Sequence, residues 1–279
     1  MQFWYTVCDL LPFEMLHWDF MKNAFLAILL MAPLFGLTST MIVTGRMSFF
    51  SDALGHSAFT GIAIGCIFGA AAPTWVAVIF SIFFALLFSF VRSRSNQAAD
   101  TLIGVFSSTA VALGIFIATM GGSSFTKYNK YLIGDILSVT GSELLMLAFV
   151  LMGTVIFWIF VGNRLMLASI HPQLASSRGI PIHLTQTLFT TAIAVIVTLA
   201  ISWVGLLILN SLLILPAASA RNIAKNLKQY TVLSIVFALI CGIMGLVASY
   251  YLGTSAGAAI SLALALVFTI TFCFRKSRG

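Results

Sequence analysis

Long apolar runs recur along this chain, and nothing else constrains its fold as tightly. They lie at about residues 22–43, 47–69, 74–91, 102–121, 143–162, 186–203, 205–221, 232–251 and 254–274. Each is close to the roughly twenty residues that an α-helix needs to cross a bilayer. Hydrocarbon offers no water to backbone N–H and C=O groups, so a segment of this kind must satisfy them within itself, as a helix. The expectation is an all-α, polytopic transmembrane helical bundle of eight to nine spans. The count drops to eight if the short, broken run at 205–221 is re-entrant. The chain is 61% hydrophobic and 8% charged, whereas soluble domains average about 25% charged residues. A mean hydropathy of +1.10 over 279 residues fits one transmembrane domain, residues 1–279, and not a soluble domain with an anchor.

Charge then orients the chain. The net charge is +7, but the basic residues are too few and too scattered for a nucleic-acid surface. They read better as topology signals. With the polar 163–184 segment placed in the cytoplasm and the spans alternating outward, eleven of the 14 Lys and Arg residues fall inside, including Arg46, Arg92, Arg94 and the tail Arg275, Lys276 and Arg278. Lys22, Lys127 and Lys130 fall outside. The amino terminus is therefore expected outside and the carboxyl terminus inside. Residues 1–19 read as an amphipathic lead-in, with Trp4, Tyr5 and Trp18 suited to the membrane interface. Asp9, Glu14 and Asp19 argue against a cleavable signal peptide. The piece Tyr131 to Val139 is too short to cross and reads as re-entrant or interfacial. Cys8, Cys66, Cys241 and Cys273 form no paired motif, and the last three sit in apolar runs as space-fillers.

One span is unlike the others. The run from Met47 to Gly69 carries Asp52 and His56, four residues apart and so on one helix face. A charge at the bilayer centre costs about 2.5–3.5 kcal/mol on insertion scales, so an apolar chain that tolerates one has a use for it. A carboxylate oxygen and an imidazole nitrogen supply half of a site for a divalent cation such as zinc or manganese. A second copy across a two-fold axis would complete four ligands. The residues alone allow a blander reading equally well: Asp52 caps the helix and His56 bonds a neighbouring helix. Gly61, Gly65 and Gly69 form a small-residue stripe about 140° round the helix from His56, a face that lets another backbone approach.

Two other stretches stand out. In HPQLASSRGI, Pro172 suits a helix start and Gly179 the residue past its end. Pro172, Gln173, Leu174, Ala175 and Arg178 would form a short surface helix able to dock a soluble partner, and on the residues alone a plain connecting loop is favoured. In VGLLILNSLLILPAASAR, Pro216 deprives the Leu212 carbonyl of its partner. With Asn210 it marks a bent helix, either a gate or an ordinary packed kink. There is no GxxxxGK[ST], no HExxH and no GxSxG. The chain therefore offers no phosphate cradle for ATP and no catalytic motif. An ion- or proton-coupled carrier would more often carry several buried carboxylates.

Three stretches, RMSFFSDALGHSAFTGIAIG (46–65), HPQLASSRGI (171–180) and VGLLILNSLLILPAASAR (204–221), together resemble the permease subunits of the metal-ion branch of ABC importers, the zinc/manganese (and iron) type. The family's Asp-Ala-Leu-x-His pattern is matched by Asp52, Ala53, Leu54 and His56. The resemblance implies a multi-pass subunit of a bacterial cytoplasmic (inner) membrane, working as a homodimer or paired permease. It implies a separate cytoplasmic ATP-binding subunit and an extracytoplasmic metal-binding protein, with no tightly bound cofactor and with divalent zinc or manganese as cargo. Asp52 and His56 become the metal residues, and the Pro172–Gly179 segment becomes the coupling helix that meets the ATPase. His171 stands where the family often has Asp, and Thr60 where it often has Pro. The alternative is an ion-coupled secondary transporter working without an ATPase. A membrane-embedded enzyme is a further rival, with no nucleophile motif to support it.

Overall fold

The apolar runs fold as helices. The computed structural model describes residues 2–9, 14–69, 72–120 and 135–274, and no strand occurs among the described residues. The α-helices are α1 (Gln2–Asp9), α2 (Asp19–Thr44), α3 (Phe50–Ile67), α4 (Pro73–Arg94), α5 (Ala99–Met120), α6 (Gly141–Ile170), α7 (Pro172–Ser177), α8 (Ile182–Ile223), α9 (Leu227–Leu252) and α10 (Ala256–Cys273). Short 3-10 turns stand at Glu14–His17 and Ile136–Ser138. Asp135 caps the second turn, its carboxylate accepting from the Leu137 amide at 3.0 Å. The expected re-entrant piece overlaps that turn, but its residues 131–134 lie outside the described residues. So do Lys127, Lys130 and the basic tail Arg275, Lys276 and Arg278.

Among the described residues seven helices are long and apolar enough to cross a membrane, against the eight to nine expected. Two physical reasons account for the difference. The Asp/His helix α3 is diluted by Ser51, Asp52, His56, Ser57 and Thr60, so apolarity alone does not single it out. The runs at 186–203 and 205–221 join into one helix of 42 residues, α8. At 1.5 Å per residue such a helix is about 63 Å long, twice the thickness of the hydrocarbon core. It leaves helical geometry at Gly205, where φ is 78° and ψ is 165°. The Gly205 break divides α8 into two pieces, each close to membrane length. The fifth span also runs further than the apolar pattern suggests. Helix α6 continues through Asn163 and Arg164 to Ile170, which shortens the polar connection after it.

The chain divides into two units. One comprises Met1–Thr40, Asp135–Ile156 and Ser211–Gly279, the other Met41–Gly134 and Phe157–Asn210. In the first unit α1 docks on the start of α2. The Trp4 indole donates to the Lys22 carbonyl at 3.0 Å and the Tyr5 hydroxyl to Asn23 Oδ1 at 3.0 Å. Backbone approach then holds the long helices together. A Cβ built on Gly245 would lie 2.5 Å from Ile260 Cα, and one on Gly36 would lie 2.7 Å from Ile235 Cα. Ser39 and Ser234 share a buried hydroxyl contact of 2.9 Å beside the second of these crossings.

The second unit is built round α3. Thirteen of the eighteen residues of α3 are buried, chiefly by α4 and α5. A Cβ on Gly61 would meet Ala77 Cα at 2.5 Å, and one on Gly65 would meet Pro73 Cα at 3.1 Å. Gly69 does not belong to this stripe. It lies beyond the helix end with φ +65°, and a Cβ there would touch nothing within 4 Å. Its role is to turn the chain, because that conformation disfavours any residue with a Cβ. The outer faces of α4 and α6 carry Ile79, Phe83, Phe149 and Phe160, all more than half exposed, as surfaces meeting lipid do.

Gly61→Ala is expected to push α3 off α4, costing about 1–3 kcal/mol as overpacking does. It would be read as a lower Tm of the purified protein. Gly104→Ala, where a Cβ meets nothing within 4 Å, should leave Tm unchanged or slightly raised.

Candidate functional site

Helix α3 starts without a side-chain cap. Its N-cap is Phe49, and no side chain bonds the free amides there. Asp52 is the third residue of the helix, so its carboxylate is not used as the cap that a surface reading would require. It lies instead on the face it shares with His56. The His56 Nε2 to Asp52 Oδ2 distance is 3.4 Å, with the His side chain 28% and the Asp side chain 42% exposed. That separation is longer than the roughly 2.7–2.9 Å of a strong charge-assisted hydrogen bond, so the two groups are neighbours without being locked together. They are the only residues left accessible in the first four turns of a helix that is mostly buried.

A third side chain reaches the pair. Asn210 Nδ2 donates to Asp52 Oδ1 at 3.1 Å. An ionised carboxylate only accepts, so the amide must present its nitrogen. The amide oxygen of Asn210 is then left buried with no hydrogen-bond partner. A polar atom stranded in this way costs about 1–3 kcal/mol. Together these contacts hold Asp52 by one oxygen and leave the other toward His56. From the sequence, Asn210 reads as part of a bend with Pro216. The only sign there of its link to Asp52 is that it is a second polar side chain in an apolar run.

The turns of α3 at and beyond His56 are pinned to its neighbours. Ser57 Oγ lies 3.2 Å from Ser81 Oγ on α4. Thr60 Oγ1 donates to the Ala110 carbonyl on α5 at 2.7 Å and also lies 3.1 Å from the His56 carbonyl. Thr60 thus ties the turn that bears His56 to a neighbouring helix, and α3 runs unbroken through it. Gly55, between Leu54 and His56, sits against Leu206, where a Cβ would collide with Leu206 Cδ1.

The other singled-out stretches lie elsewhere. Pro172–Ser177 is a six-residue helix, with His171 at its N-cap making no side-chain bond. Its far end is closed by two backbone bonds, from the Gly179 amide to the Ser176 carbonyl at 3.0 Å and from the Ile180 amide to the Ala175 carbonyl at 3.1 Å. This is the Schellman pattern, and Gly179 supplies the φ of +72° that it needs. Pro172, Gln173, Leu174 and Arg178 are exposed, while Ala175 is buried beneath them. In α8 the dihedral break falls at Gly205, and Pro216 lies inside helix that continues to Ile223. A glycine in an apolar run gives little warning of such a break.

The donor set limits the chemistry. No cluster of three or more His, Cys, Asp or Glu side chains occurs among the described residues. One chain thus offers a divalent ion one carboxylate and one imidazole at this place, a pair suited to weak and reversible binding.

Comparisons with known proteins agree with this architecture. Residues 17–275 match the ABC 3 transport family. The chain is 28% identical to the high-affinity zinc uptake system membrane protein ZnuB of Haemophilus influenzae, over 90% of this chain and 94% of that one. It is 26% identical to the manganese transport system membrane protein MntC of Listeria monocytogenes, over 95% and 94% of the two chains. Among solved structures it superposes on PsaBC from Streptococcus pneumoniae, solved in complex with Fab, with a TM-score of 0.78 and 27% identity over 91% of each chain. The chain is a multi-pass membrane protein and belongs to the ABC 3 transport family.

Proposed function

We propose that this chain is the membrane-spanning subunit of an ATP-driven importer of divalent metal ions, with zinc or manganese as cargo and iron as a further candidate. The whole chain acts as one permease domain in a bacterial inner membrane. The observation that carries the reading is the Asp52–His56 pair. It is an acid and an imidazole 3.4 Å apart, partly exposed on a helix whose remaining surface is largely buried.

In this reading the ion arrives from an extracytoplasmic binding protein and passes Asp52 and His56. One chain contributes an oxygen and a nitrogen. A second permease copy contributes the same pair, giving a four-ligand site that forms and opens as the two copies move. Two ligands from each side bind weakly enough for release, as a transporter requires. Asn210 is a positioning residue: by holding Asp52 Oδ1 it aims the free carboxylate oxygen, as outer-shell donors do at metal centres. Carboxylate and imidazole suit both zinc and manganese, so ion choice rests on more than these two residues. ATP hydrolysis belongs to a separate cytoplasmic chain. The exposed Pro172–Arg178 surface, closed rigidly at Gly179, is the coupling helix that meets it. The long helices α6 and α8 flank that helix in sequence and are suited to carry its movement into the membrane.

In proteoliposomes holding the chain with its candidate ATPase, ATP-dependent uptake of zinc or manganese is expected to fall to background in His56→Ala, with assembly intact. Uptake that persists in this variant would remove the pair from the pathway, and uptake without ATP would identify a secondary carrier. Asn210→Ala should raise the half-maximal metal concentration by about 10- to 100-fold while leaving the maximal rate largely intact, which a packing defect would not do. Arg178→Glu should abolish co-purification with the ATPase. Undiminished co-purification would defeat the coupling-helix assignment.

A further inference from the structure

A cavity of about 120 Å³ lies between the end of α4 and the start of α8 and is lined by neither Asp52 nor His56, and every residue lining it is polar: Ser89, Arg92, Ser93, His183, Gln186 and Thr190. Its volume is about four times the share of one liquid water and well below the roughly 300 Å³ at which pockets for drug-sized molecules begin. It suits a small polyatomic group. The lining includes no carboxylate, and it includes one permanent cation.

That cation is poorly matched. Arg92 is partly buried, and its Nη1 contacts the Met47 thioether at 3.0 Å. Sulfur is a weak acceptor, and a guanidinium carries five N–H donors in a planar fork. Neither ion pair found among the described residues involves Arg92. Some of the hydroxyls are already committed. Ser93 donates to the Phe90 carbonyl at 2.8 Å, Thr190 donates to the Thr187 carbonyl at 2.9 Å, and Ser89 pairs with Thr187. The donors left over come from Arg92, His183 and Gln186. An arginine fork with two further N–H donors round a small polar space is the arrangement that binds phosphate oxygens. Basic pockets between membrane helices near a headgroup layer hold anionic lipid heads by the same chemistry.

We infer that this cavity is an anion site for a phosphate group, held by Arg92, His183 and Gln186. A bound phosphate would tie the end of α4 to the first turn of α8, the helix that follows α7 directly in the chain. The inference does not depend on the metal reading.

The test uses the full chain in nanodiscs of phosphatidylcholine, with or without phosphatidylglycerol. Native mass spectrometry counts retained phosphatidylglycerol. In phosphatidylcholine alone, inorganic phosphate is titrated and Tm is followed. Arg92→Gln and His183→Ala are compared with Arg94→Gln, a neighbouring exposed arginine that does not line the cavity. His183 is exposed at the helix start, so its variant carries the test if Arg92→Gln assembles poorly. A single retained phosphatidylglycerol, or a saturable rise in Tm with phosphate, is expected, about tenfold weaker in both cavity variants and unchanged in Arg94→Gln. Retention of lipid alone identifies a headgroup site, and a response to phosphate alone identifies a soluble anion. No response from wild type to either probe would overturn the inference. So would equal binding by wild type, Arg92→Gln and His183→Ala, which would indicate only general attraction to a basic surface.

Discussion

A helix bearing Ser51, Asp52, His56, Ser57 and Thr60 cannot lie in lipid on all sides, and the second unit is arranged round that constraint. Helices α4 and α5 cover most of α3. They come close enough to do so because Gly61 and Gly65 remove the side chains that would hold α4 away. The polar groups on the covered face are used within it, Ser57 with Ser81 and Thr60 with the Ala110 carbonyl. Through its first four turns α3 keeps exposure only at Asp52 and His56. Burial of the surrounding residues is thus what leaves the Asp52–His56 edge as a site.

The same packing gives the site its stiffness. Thr60 bonds to α5 one turn beyond His56, so the imidazole stands on a helix that is fixed on both sides of it. Gly55 admits Leu206 against the turn between Asp52 and His56, and Asn210, further along the same helix, holds Asp52. The pair is therefore set by α3 and by the segment just past the Gly205 break. That break lets a 42-residue helix change course five residues before Asn210, which touches Asp52. A straight α8 would continue Val204 into Leu206 without redirecting the chain there.

Much of the architecture is legible in the order of residues alone. Asp52 and His56 are visible because polar side chains are rare in apolar runs and a four-residue spacing fixes their common face. At Pro172 and Gly179 the start and stop signals are visible because both residues have narrow backbone preferences, yet a plain connecting loop is the reading the residues alone favour, and the structure forms a six-residue helix there instead. Gly69 is misleading: four-residue spacing continues past the point at which the helix ends, so a turn residue looks like a packing residue. The length of α6 is hidden because hydropathy marks where a helix leaves the membrane and says nothing of where its hydrogen bonds stop.

That this chain is a bundle of membrane helices, and which of them carries the acid and the imidazole, follows from the order of its residues. Membrane helices satisfy their backbone locally, so their lengths and polar exceptions can be read one segment at a time. Packing in three dimensions is what brings Asn210 to Asp52, anchors the His56 turn through Thr60, and sets Arg92 and His183 round one cavity. Those contacts join residues far apart in the chain. They arise from where helices cross, and a crossing is set by the shapes of two surfaces together, which no single stretch of sequence contains.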